Sequence, residues 1–496
     1  MNKYSLFIFS LLVFLSANVY AEKKFDFNTN CLRAYKEIVK LKLNAGQEIL
    51  KAEKNANPDN LIPYFLENYI DFFELFFNED PAVYKARIKN LSDRLGMMDE
   101  GPANSPFYKY TKAIINFQWA AVKVKFGYRW DAGWQFRRSY LQVKANKEKF
   151  PAFQPNNMLY GAMQTVAGTI PEGYKWLSNL LGMRGSVKDG MGLLEGFLNS
   201  NDSWVPVFKE EAIFYYAYLK YHLLNEREEV FQFFKQQQLD VVNNHLYTYM
   251  TANLAINNKQ SAYAKQIIQQ RNPSAEYLKT EVWDLELGYA KLNHFETDAN
   301  IYLQRFTDNF KGKFYIKDAL QKLSWYYYLK GNMTEAEKYR KQVLTNGNTD
   351  SEADKQAQKE AKTGKWPTVL LLKARLLNDG GYNSEALAML NGKSANDFNI
   401  IEEKVEFSYR LARIYDDMGR TAEATQAYVY TINNGEKLKQ YFAARAAIQL
   451  GFIYEKKGDK QGAIKWYQRC LDMDDHDYKN SLDQKAKAGI ARCKGE

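Results

Sequence analysis

The residue types that most often carry catalysis and metal binding are sparse in this chain and stand apart from one another. Among its 496 residues, histidine occurs only as His222, His245, His294 and His476. No two of these fall at the spacing with which zinc ligands recur on one helix or turn. The sequence also contains no HExxH segment, no nucleophile elbow and no phosphate-binding loop. We therefore expect no catalytic centre, no metal and no cofactor, and we predict that the protein is not an enzyme.

Two further stretches match ligand-binding loops only in part. The segment DMDDHD at 472–477 is rich in carboxylates, but it lacks the glycine of a calcium loop and the acidic twelfth residue. Gly190, Gly192 and Gly196 are spaced one residue too widely for the dinucleotide fingerprint, and no predicted strand precedes them. We interpret the first stretch as a solvated loop and the second as a turn between packed helices.

The remaining candidate activity is binding, and the aromatic and basic side chains are the residues suited to it. Aromatic residues make up 15% of the chain, and 68 basic against 58 acidic residues give a formal net charge of +10. The basic excess is mild and does not form the stripe or tail typical of nucleic-acid-binding proteins, so we expect no nucleic-acid partner. Aromatic and arginine side chains on amphipathic helices suit the capture of a peptide or a helix.

The helices that would position such side chains are best defined in 405–471. Each half of this stretch has a small residue, a glycine seven residues later and an alanine five residues after that: Ala412, Gly419 and Ala424, then Gly451, Gly458 and Ala463. Two helices cross closely only where side chains are small, and a turn glycine allows the left-handed backbone that ends a helix. Each half therefore predicts a tight helical hairpin.

The same spacing recurs upstream, with full copies at Ser324, Gly331 and Ala336 and at Ala374, Gly381 and Ala386, and weaker copies at Ala252, Lys259 and Ala264 and at Gly288. Chance would produce this three-point pattern about once or less in such a chain. The pattern resembles the tetratricopeptide repeat (TPR), although the usual closing proline is missing and 39 residues separate Ala412 from Gly451, against a usual period of ~34. The resemblance implies an all-α fold, an α-solenoid of TPR-like hairpins that acts as an interaction scaffold.

In a TPR the first helix of each hairpin lines the concave surface, so the resemblance assigns candidate partner-binding residues by position. These are Trp325, Tyr328, Arg375, Tyr409, Arg413, Phe452 and Lys456. The alternative at each position is a side chain that packs between repeats, and the sequence leaves both open. The lysine and asparagine set with which some TPRs clamp a terminal carboxylate is not recognisable.

The N-terminal part of the chain is rich in aromatic residues and predicted to be helical. The segment LIPYFLENYIDFFELFF at 61–77 is apolar on most sides, which predicts a core helix, with a membrane-facing or partner-facing helix as the alternative. The stretch 161–198 is apolar and rich in glycine, with Gly168, Pro171, Leu180, Leu181, Gly182, Gly185, Gly190 and Leu194. Its order of residues resembles the inclusion-body-clearance type of TPR proteins, which are eukaryotic and linked to lipid and aggregate handling. That resemblance would cover most of 30–496, and we use it for architecture and not for function.

Residues 1–21 have the features of a secretory signal peptide. A single Lys3 precedes an apolar run from Leu6 to Leu15, and Val19, Tyr20 and Ala21 suit a cleavage site before a charged segment. We expect cleavage after Ala21 and export to the periplasm or the medium; an uncleaved membrane anchor is the alternative, since residues 4–21 carry no charge.

Together these patterns predict four parts: a signal peptide (1–21), an N-terminal helical region (22–200), TPR-like hairpins (201–344) and C-terminal TPRs with a capping helix (366–496). The polar stretch 345–365 between the last two is either a solvated helix or a hinge. We predict an exported, non-enzymatic scaffold that binds a protein or peptide through its concave surface in the cell envelope. The alternative is an envelope protein that binds lipid or glycan through the apolar segments 61–77 and 161–198.

Overall fold

Helices dominate the secondary structure of the protein. The computed structural model describes residues 22–168, 183, 185–224 and 226–495. In these ranges, backbone pairing of the β type occurs only as one isolated bridge, between Lys24 and Asn60. The predicted all-α class is therefore confirmed. The predicted signal peptide and the central part of the glycine-rich stretch, including Pro171 and Leu180–Gly182, lie outside the described residues.

The chain divides into two units, and the first comprises the described residues up to Tyr247 together with Asn272–Thr280. Its helices are α1 (Thr29–Val39), α2 (Leu43–Ala56), α3 (Ile62–Asn78), α4 (Pro81–Arg87), α5 (Lys89–Asp99), α6 (Pro106–Lys125), α7 (Arg129–Lys149), α8 (Pro155–Gly168), α9 (Val187–Leu198), α10 (Val205–Leu219) and α11 (Arg227–Gln237). A π-helical turn, Lys220–Leu224, follows α10 directly. Leu41 takes a left-handed backbone conformation between α1 and α2 and so separates the two helices.

The second unit comprises Thr248–Arg271 and the described residues from Glu281 onward. Helix α12 (His245–Asn257) has residues in both units, and the helices that follow are α13 (Ser261–Gln270), α14 (Val282–Leu292), α15 (Ala299–Asn309), α16 (Ile316–Leu329), α17 (Met333–Thr345), α18 (Glu352–Thr363), α19 (Val369–Gly380), α20 (Asn383–Leu390), α21 (Ile401–Asp417), α22 (Thr421–Gly435), α23 (Phe442–Lys456), α24 (Lys460–Leu471) and α25 (Lys479–Lys494). Most of these helices pack in consecutive antiparallel pairs, as an α-solenoid of TPR-like hairpins requires.

The turn between the two helices of each predicted hairpin has the expected backbone. Seven residues after each small position, φ is positive: Lys259 (57°), Phe295 (58°), Gly331 (74°), Gly381 (85°), Gly419 (73°) and Gly458 (80°). Four of these six residues are glycine, which takes this conformation without steric strain. The two weaker copies place a side chain there at a cost of order 1 kcal/mol, which explains why their sequence signal is less clear.

The predicted small positions pack where the paired helices cross. Ala412, Ala424 and Ala463 are fully buried in one hydrophobic core of the C-terminal repeats. At Gly451, an added Cβ would lie 2.3 Å from the ring of Tyr467, and at Gly489 of α25 it would lie 2.4 Å from the same ring. The ring of Tyr467 therefore fits between two glycine backbones, one from its own hairpin and one from the terminal helix.

A hydroxyl–carboxylate bond links the two helices of both C-terminal hairpins. Tyr428 donates to Asp416 Oδ2 at 2.9 Å, and Tyr467 donates to Glu455 Oε2 at 2.6 Å. Each donor lies twelve residues after its acceptor, so the two bonds occupy equivalent positions in successive hairpins. The buried tyrosine rings thus fill space within the repeat core while their polar ends remain satisfied.

The polar stretch between the two predicted TPR groups is a helix, α18. Asp354, in its first turn, accepts hydrogen bonds from the backbone N–H groups of Tyr315 (2.7 Å) and Asp318 (3.1 Å). These amides belong to the start of α16, so Asp354 caps one helix from another. Ala357 and Ala361 of α18 are buried against the same hairpin. The helix is therefore amphipathic and docked, although its composition is that of a solvated segment.

In the first unit, the apolar segment 61–77 forms most of α3 and is a core helix. Phe65, Leu66 and Tyr69 are completely or almost completely buried. The core around it includes a carboxyl group: Glu211 of α10 accepts hydrogen bonds from the hydroxyls of Tyr35 (2.9 Å), Tyr69 (3.0 Å) and Tyr215. Burial raises the pKa of Glu211, while the three hydroxyl donors oppose that rise.

Candidate partner-binding surface

The first helices of the C-terminal hairpins present one polar and aromatic face. On α23, Tyr441, Arg445, Gln449, Phe452 and Lys456 are only partly buried or exposed, while most of the helix between them is buried. Their spacing of four, four, three and four residues places them on one side of the helix. We call this side, with the equivalent sides of α16, α19 and α21, the inner face.

At one end of the inner face, Trp325 is a packed residue and not a free platform. It is 4% exposed, with the ammonium of Lys322 4.1 Å from its ring centroid and the guanidinium of Arg375 4.8 Å from it. Tyr328, one turn further along α16, stacks on Trp366 with 4.7 Å between ring centroids and donates to the carbonyl of Pro367 at 3.0 Å. Both candidate side chains therefore contact neighbouring segments of the same unit.

Arg375 of α19 connects this end to α18. Its guanidinium lies 3.6 Å from a carboxylate oxygen of Glu360 and 3.7 Å from one of Asp379. Glu360 also accepts a hydrogen bond from Gln321 of α16 at 2.7 Å. The positive charge of Arg375 is therefore shared between two carboxylates, one on α18 and one on its own helix.

Tyr409 and Arg413 lie one turn apart on α21 and are both enclosed. Tyr409 is 5% exposed because Tyr441 and Phe442, at the start of α23, pack over its ring at 6.0 and 5.2 Å between centroids. Arg413 donates to the hydroxyl of Tyr428 and to Asp417, both at 3.4 Å. The structure thus brings these two candidates together, one as a buried ring and one as a paired cation.

Phe452 and Lys456 complete the candidate set on α23. The ring of Phe452 meets Tyr467 edge to face with 5.8 Å between centroids, and the guanidinium of Arg492 lies 5.7 Å from the Phe452 ring. Lys456 is exposed. Of the seven candidates, Lys456 is the most accessible and the other six also contact their own repeats, so their role in binding a partner stays a prediction.

Three further residues belong to this surface and were not among the sequence candidates. Arg410 packs against the rings of Tyr409 and Phe442, with its guanidinium 5.5 and 5.4 Å from their centroids. Tyr441 and Arg445 lie 32 residues after Tyr409 and Arg413. That common separation of two tyrosine–arginine pairs is the signal in the sequence that could have identified them.

A polar network joins the turns of separate hairpins within the second unit. The ammonium of Lys259, in the turn after α12, donates to Asn378 Oδ1 at 2.8 Å and forms an ion pair with Asp417. Burial lowers the pKa of Lys259 to about 8, and the positive charge of Arg413 contributes to that shift. An added Cβ at Gly381 would lie 1.9 Å from the carbonyl oxygen of Lys259, so the two turns are in direct contact.

Helix α18 borders a cleft of the second unit. Lys359 forms an ion pair with Asp477, which precedes α25. Beside this pair lies an open cleft of about 480 Å³, lined by Glu352, Lys355, Gln356, Lys359 and the segment 476–481. Within the described ranges no three histidine, cysteine or acidic side chains converge in a way that could hold a metal ion. No described helix has the length and hydrophobicity needed to cross a bilayer.

Comparison with known families agrees with the geometry of the hairpins. The family model of the tetratricopeptide repeat matches residues 444–477, which include nearly all of α23 and α24 and the turn at Gly458. The chain therefore contains a tetratricopeptide repeat. No curated protein sequence matches it. The TPR match covers about one repeat length of ~34 residues, and the same small-residue, left-handed-turn and alanine pattern recurs in the hairpins before it.

TPR folds are typically non-enzymatic scaffolds for contacts between proteins, and the inner face has the composition of such a contact surface. The resemblance to the inclusion-body-clearance type of TPR protein stays a prediction. Of the residues that carry it, Gly168, Gly185, Gly190 and Leu194 are described, and Gly185 packs directly against Gly168.

Proposed function

We propose that this TPR protein is exported to the cell envelope and binds a protein or peptide there through the inner face of its C-terminal repeats. The observation that supports this most directly is the stripe Tyr441, Arg445, Gln449, Phe452 and Lys456 on α23. Tyrosine, phenylalanine and arginine contribute disproportionately to binding energy at protein interfaces, and the stripe concentrates them on one accessible side.

Binding through this face is tested with a double variant, Phe452→Ser with Lys456→Glu, whose side chains lie at the accessible end of the stripe. The matched control is Lys393→Glu, which makes the same charge change at an exposed position in the loop after α20. Each purified chain is used to capture proteins from a solubilised envelope extract. We expect one or more captured proteins to be lost with the double variant and retained with the control; equal recovery with both would contradict the proposed surface.

Export is tested separately by determining the N-terminal residue of the mature chain in its native host. Cleavage after Ala21 would leave Glu22 as the first residue. We expect this N-terminus and recovery of the chain in the periplasmic or extracellular fraction. A chain that begins at Met1 and remains in the cytosol would overturn the proposed location without affecting the binding surface.

A second candidate function is attachment to a membrane surface, and exposed tryptophans in the first unit favour it. Trp130 is 71% exposed and Trp134 is 46% exposed, one turn apart on α7, and Tyr128 and Val124 beside them are also exposed. Tryptophan and tyrosine prefer the interface between a bilayer and water. This patch replaces the segment 61–77 as the candidate lipid contact, because α3 is buried in the core.

Membrane attachment is tested by cosedimentation with vesicles of phosphatidylcholine and phosphatidylglycerol. We expect the variant Trp130→Ser with Trp134→Ser to lose most of its vesicle binding, whereas Tyr263→Ser, at another exposed aromatic residue, retains it. If the wild-type chain stays in the supernatant, the membrane function is excluded and the protein-binding proposal stands alone.

A further inference from the structure

The hydroxyl of Tyr409 is a polar group at the centre of the inner face that no neighbouring residue satisfies. The ring is 95% buried, among Tyr428, Tyr441 and Phe442. In the described part of the chain, its hydroxyl has no hydrogen-bond partner, unlike those of Tyr428 and Tyr467, which donate to carboxylates. The hydroxyl oxygen itself reaches solvent, since it is not one of the fully buried polar atoms that lack a partner, and it is therefore free to bond a molecule that approaches the inner face.

The electrostatic surroundings of this hydroxyl are mainly cationic. Burial raises the pKa of Tyr409, with Tyr441 adding to the rise, and the positive charges of Arg413, Arg445 and Arg410 oppose it. The geometry agrees with this: the guanidinium of Arg410 lies 5.5 Å from the centroid of the Tyr409 ring, and Arg413 follows Tyr409 by one turn on α21. Arg445 follows Tyr441 by one turn on α23, and the ring centroids of Tyr441 and Tyr409 are 6.0 Å apart. Guanidinium groups are donors only, so this arrangement calls for an acceptor that carries negative charge.

The three arginines differ in whether their charge is already compensated. Arg410 donates to Glu406 at 2.8 Å, and Arg413 lies 3.4 Å from a carboxylate oxygen of Asp417. Arg445, by contrast, forms no ion pair with any residue that the structure describes. The inner face around Tyr409 thus has one uncompensated positive charge, and it is located on α23.

Arg445 is also positioned to meet a molecule from solution. It lies one helical turn after Tyr441 on the partly exposed stripe of α23, whereas its neighbours Ala444, Ala446 and Ala447 are buried. A ligand that reaches this stripe can accept hydrogen bonds from the guanidinium while it approaches the two tyrosine hydroxyls. The carboxylate geometry matches the guanidinium fork.

We propose that Arg445 and the hydroxyls of Tyr409 and Tyr441 bind the side-chain carboxylate of an aspartate or glutamate in a partner segment. This inference rests on the proposed function, for which it names the chemical feature that the inner face selects. One uncompensated guanidinium matches a single negative charge. A doubly charged phosphate would be opposed by Glu406 and Asp417, which lie on the same face.

The test uses a library of decapeptides with amidated C-termini, in which the central residue is glutamate or its neutral isostere glutamine. Binding of the full chain is measured by fluorescence anisotropy. We expect the glutamate member of the best-binding pairs to bind about tenfold more tightly, the ratio typical of one charge-assisted contact. A second set of the glutamine peptides has a free C-terminal carboxylate in place of the amide. Tighter binding of this second set would show that the protein recognises a chain terminus instead.

The variants are Tyr409→Phe, Arg445→Gln and Arg445→Lys, with Lys393→Gln as the matched control outside the inner face. Tyr409→Phe keeps the buried ring and removes a hydroxyl that has no internal partner, so thermal unfolding should show no loss of stability. We expect Tyr409→Phe and Arg445→Gln to lose the preference for glutamate, Arg445→Lys to retain part of it, and the control to match the wild type.

The possible results separate this inference from the proposed function. Peptide binding without any preference for glutamate, or a preference that survives in Arg445→Gln, overturns the carboxylate site and leaves the inner face as a binding surface. A preference only for free C-termini also overturns it, because the selected group would then be the chain end. No binding of any peptide by the folded wild-type chain counts against both.

Discussion

Glu286 is a buried carboxyl group whose pKa predicts a specific dependence of stability on pH. It lies on α14, is 4% exposed and accepts a hydrogen bond from Asn253 at 2.7 Å. No lysine or arginine pairs with it in the described residues. Burial raises its pKa from 4.5 to about 7, and the hydrogen bond from Asn253 only partly opposes that rise. We predict that Glu286→Gln stabilises the second unit at alkaline pH.

The sign and size of the effect follow from proton linkage. Between the unfolded pKa of about 4.5 and the folded pKa of about 7, the folded chain holds a proton at Glu286 that the unfolded chain has lost. The wild-type free energy of unfolding therefore falls as pH rises through this window. The loss is complete above the folded pKa, where it reaches about 3 kcal/mol, and it is about 2 kcal/mol near pH 6. Glutamine is neutral, retains the acceptor for Asn253 and avoids this loss.

The assay is guanidinium chloride unfolding of both chains near pH 4.5 and near pH 8. We expect the two free energies to agree within about 1 kcal/mol at the lower pH and to differ by about 3 kcal/mol, in favour of the variant, at the higher pH. Glu352→Gln, at an exposed carboxylate paired with Lys355, is the control and should change neither value by more than about 0.5 kcal/mol. A Glu286→Gln effect that is the same at both pH values would refute the buried, ionisable state of this group.

Three further predictions concern packing and buried polar groups. Gly489→Ala should destabilise the chain by about 1–2 kcal/mol, since its Cβ would meet the ring of Tyr467, whereas Gly196→Ala, with open space around it, should stabilise by up to about 1 kcal/mol; thermal unfolding measures both. Asp354→Ala should cost about 1–3 kcal/mol, measured by denaturant unfolding, because two backbone N–H groups of α16 lose their acceptor. Glu211→Leu should cost about 3 kcal/mol or more, because three tyrosine hydroxyls, two of them buried, lose their acceptor, while Glu211→Gln should cost less because it keeps an acceptor.

Each of these predictions has an outcome that contradicts it. A stabilising Gly489→Ala would mean that the ring of Tyr467 moves freely and that the glycine is not required by packing. An Asp354→Ala chain of unchanged stability would mean that α18 does not cap α16. Equal effects of leucine and glutamine at Glu211 would show that acceptor capacity is not what holds the tyrosine hydroxyls in the core.

The hairpins of this protein could be predicted from the sequence because their requirements are local. A left-handed turn favours glycine and accepts few other residues, and a close helix crossing requires a small side chain. The residue type alone therefore identifies both positions in the sequence. Even the weaker copy with Lys259 in the turn has the predicted positive φ. These constraints act over about a dozen residues and do not depend on how successive hairpins stack.

The inner face was harder to predict because it depends on contacts between hairpins. The repeat template pairs Arg413 with Phe452, which lies 39 residues later, yet the residue that packs on Tyr409 is Tyr441, 32 residues later. The difference of seven residues corresponds to about two helical turns. The stacking offset buries the ring of Tyr409, which the template treats as a lining residue. It also places Arg445 one turn after Tyr441, whose ring packs on that of Tyr409.

The distribution of charge on the inner face determines what kind of selectivity it can have. The formal net charge of +10 attracts acidic molecules over long range, but it does so without regard to sequence and is screened by salt. At short range, Arg375, Arg410 and Arg413 are each held by carboxylates of the same unit, so a partner gains little by approaching them. Arg445, unlike these three arginines, can pair with a carboxylate of the partner without first losing an internal ion pair. A partner should therefore be recognised by one acidic residue at a defined position, with the aromatic side chains of the same stripe contributing affinity rather than charge selectivity.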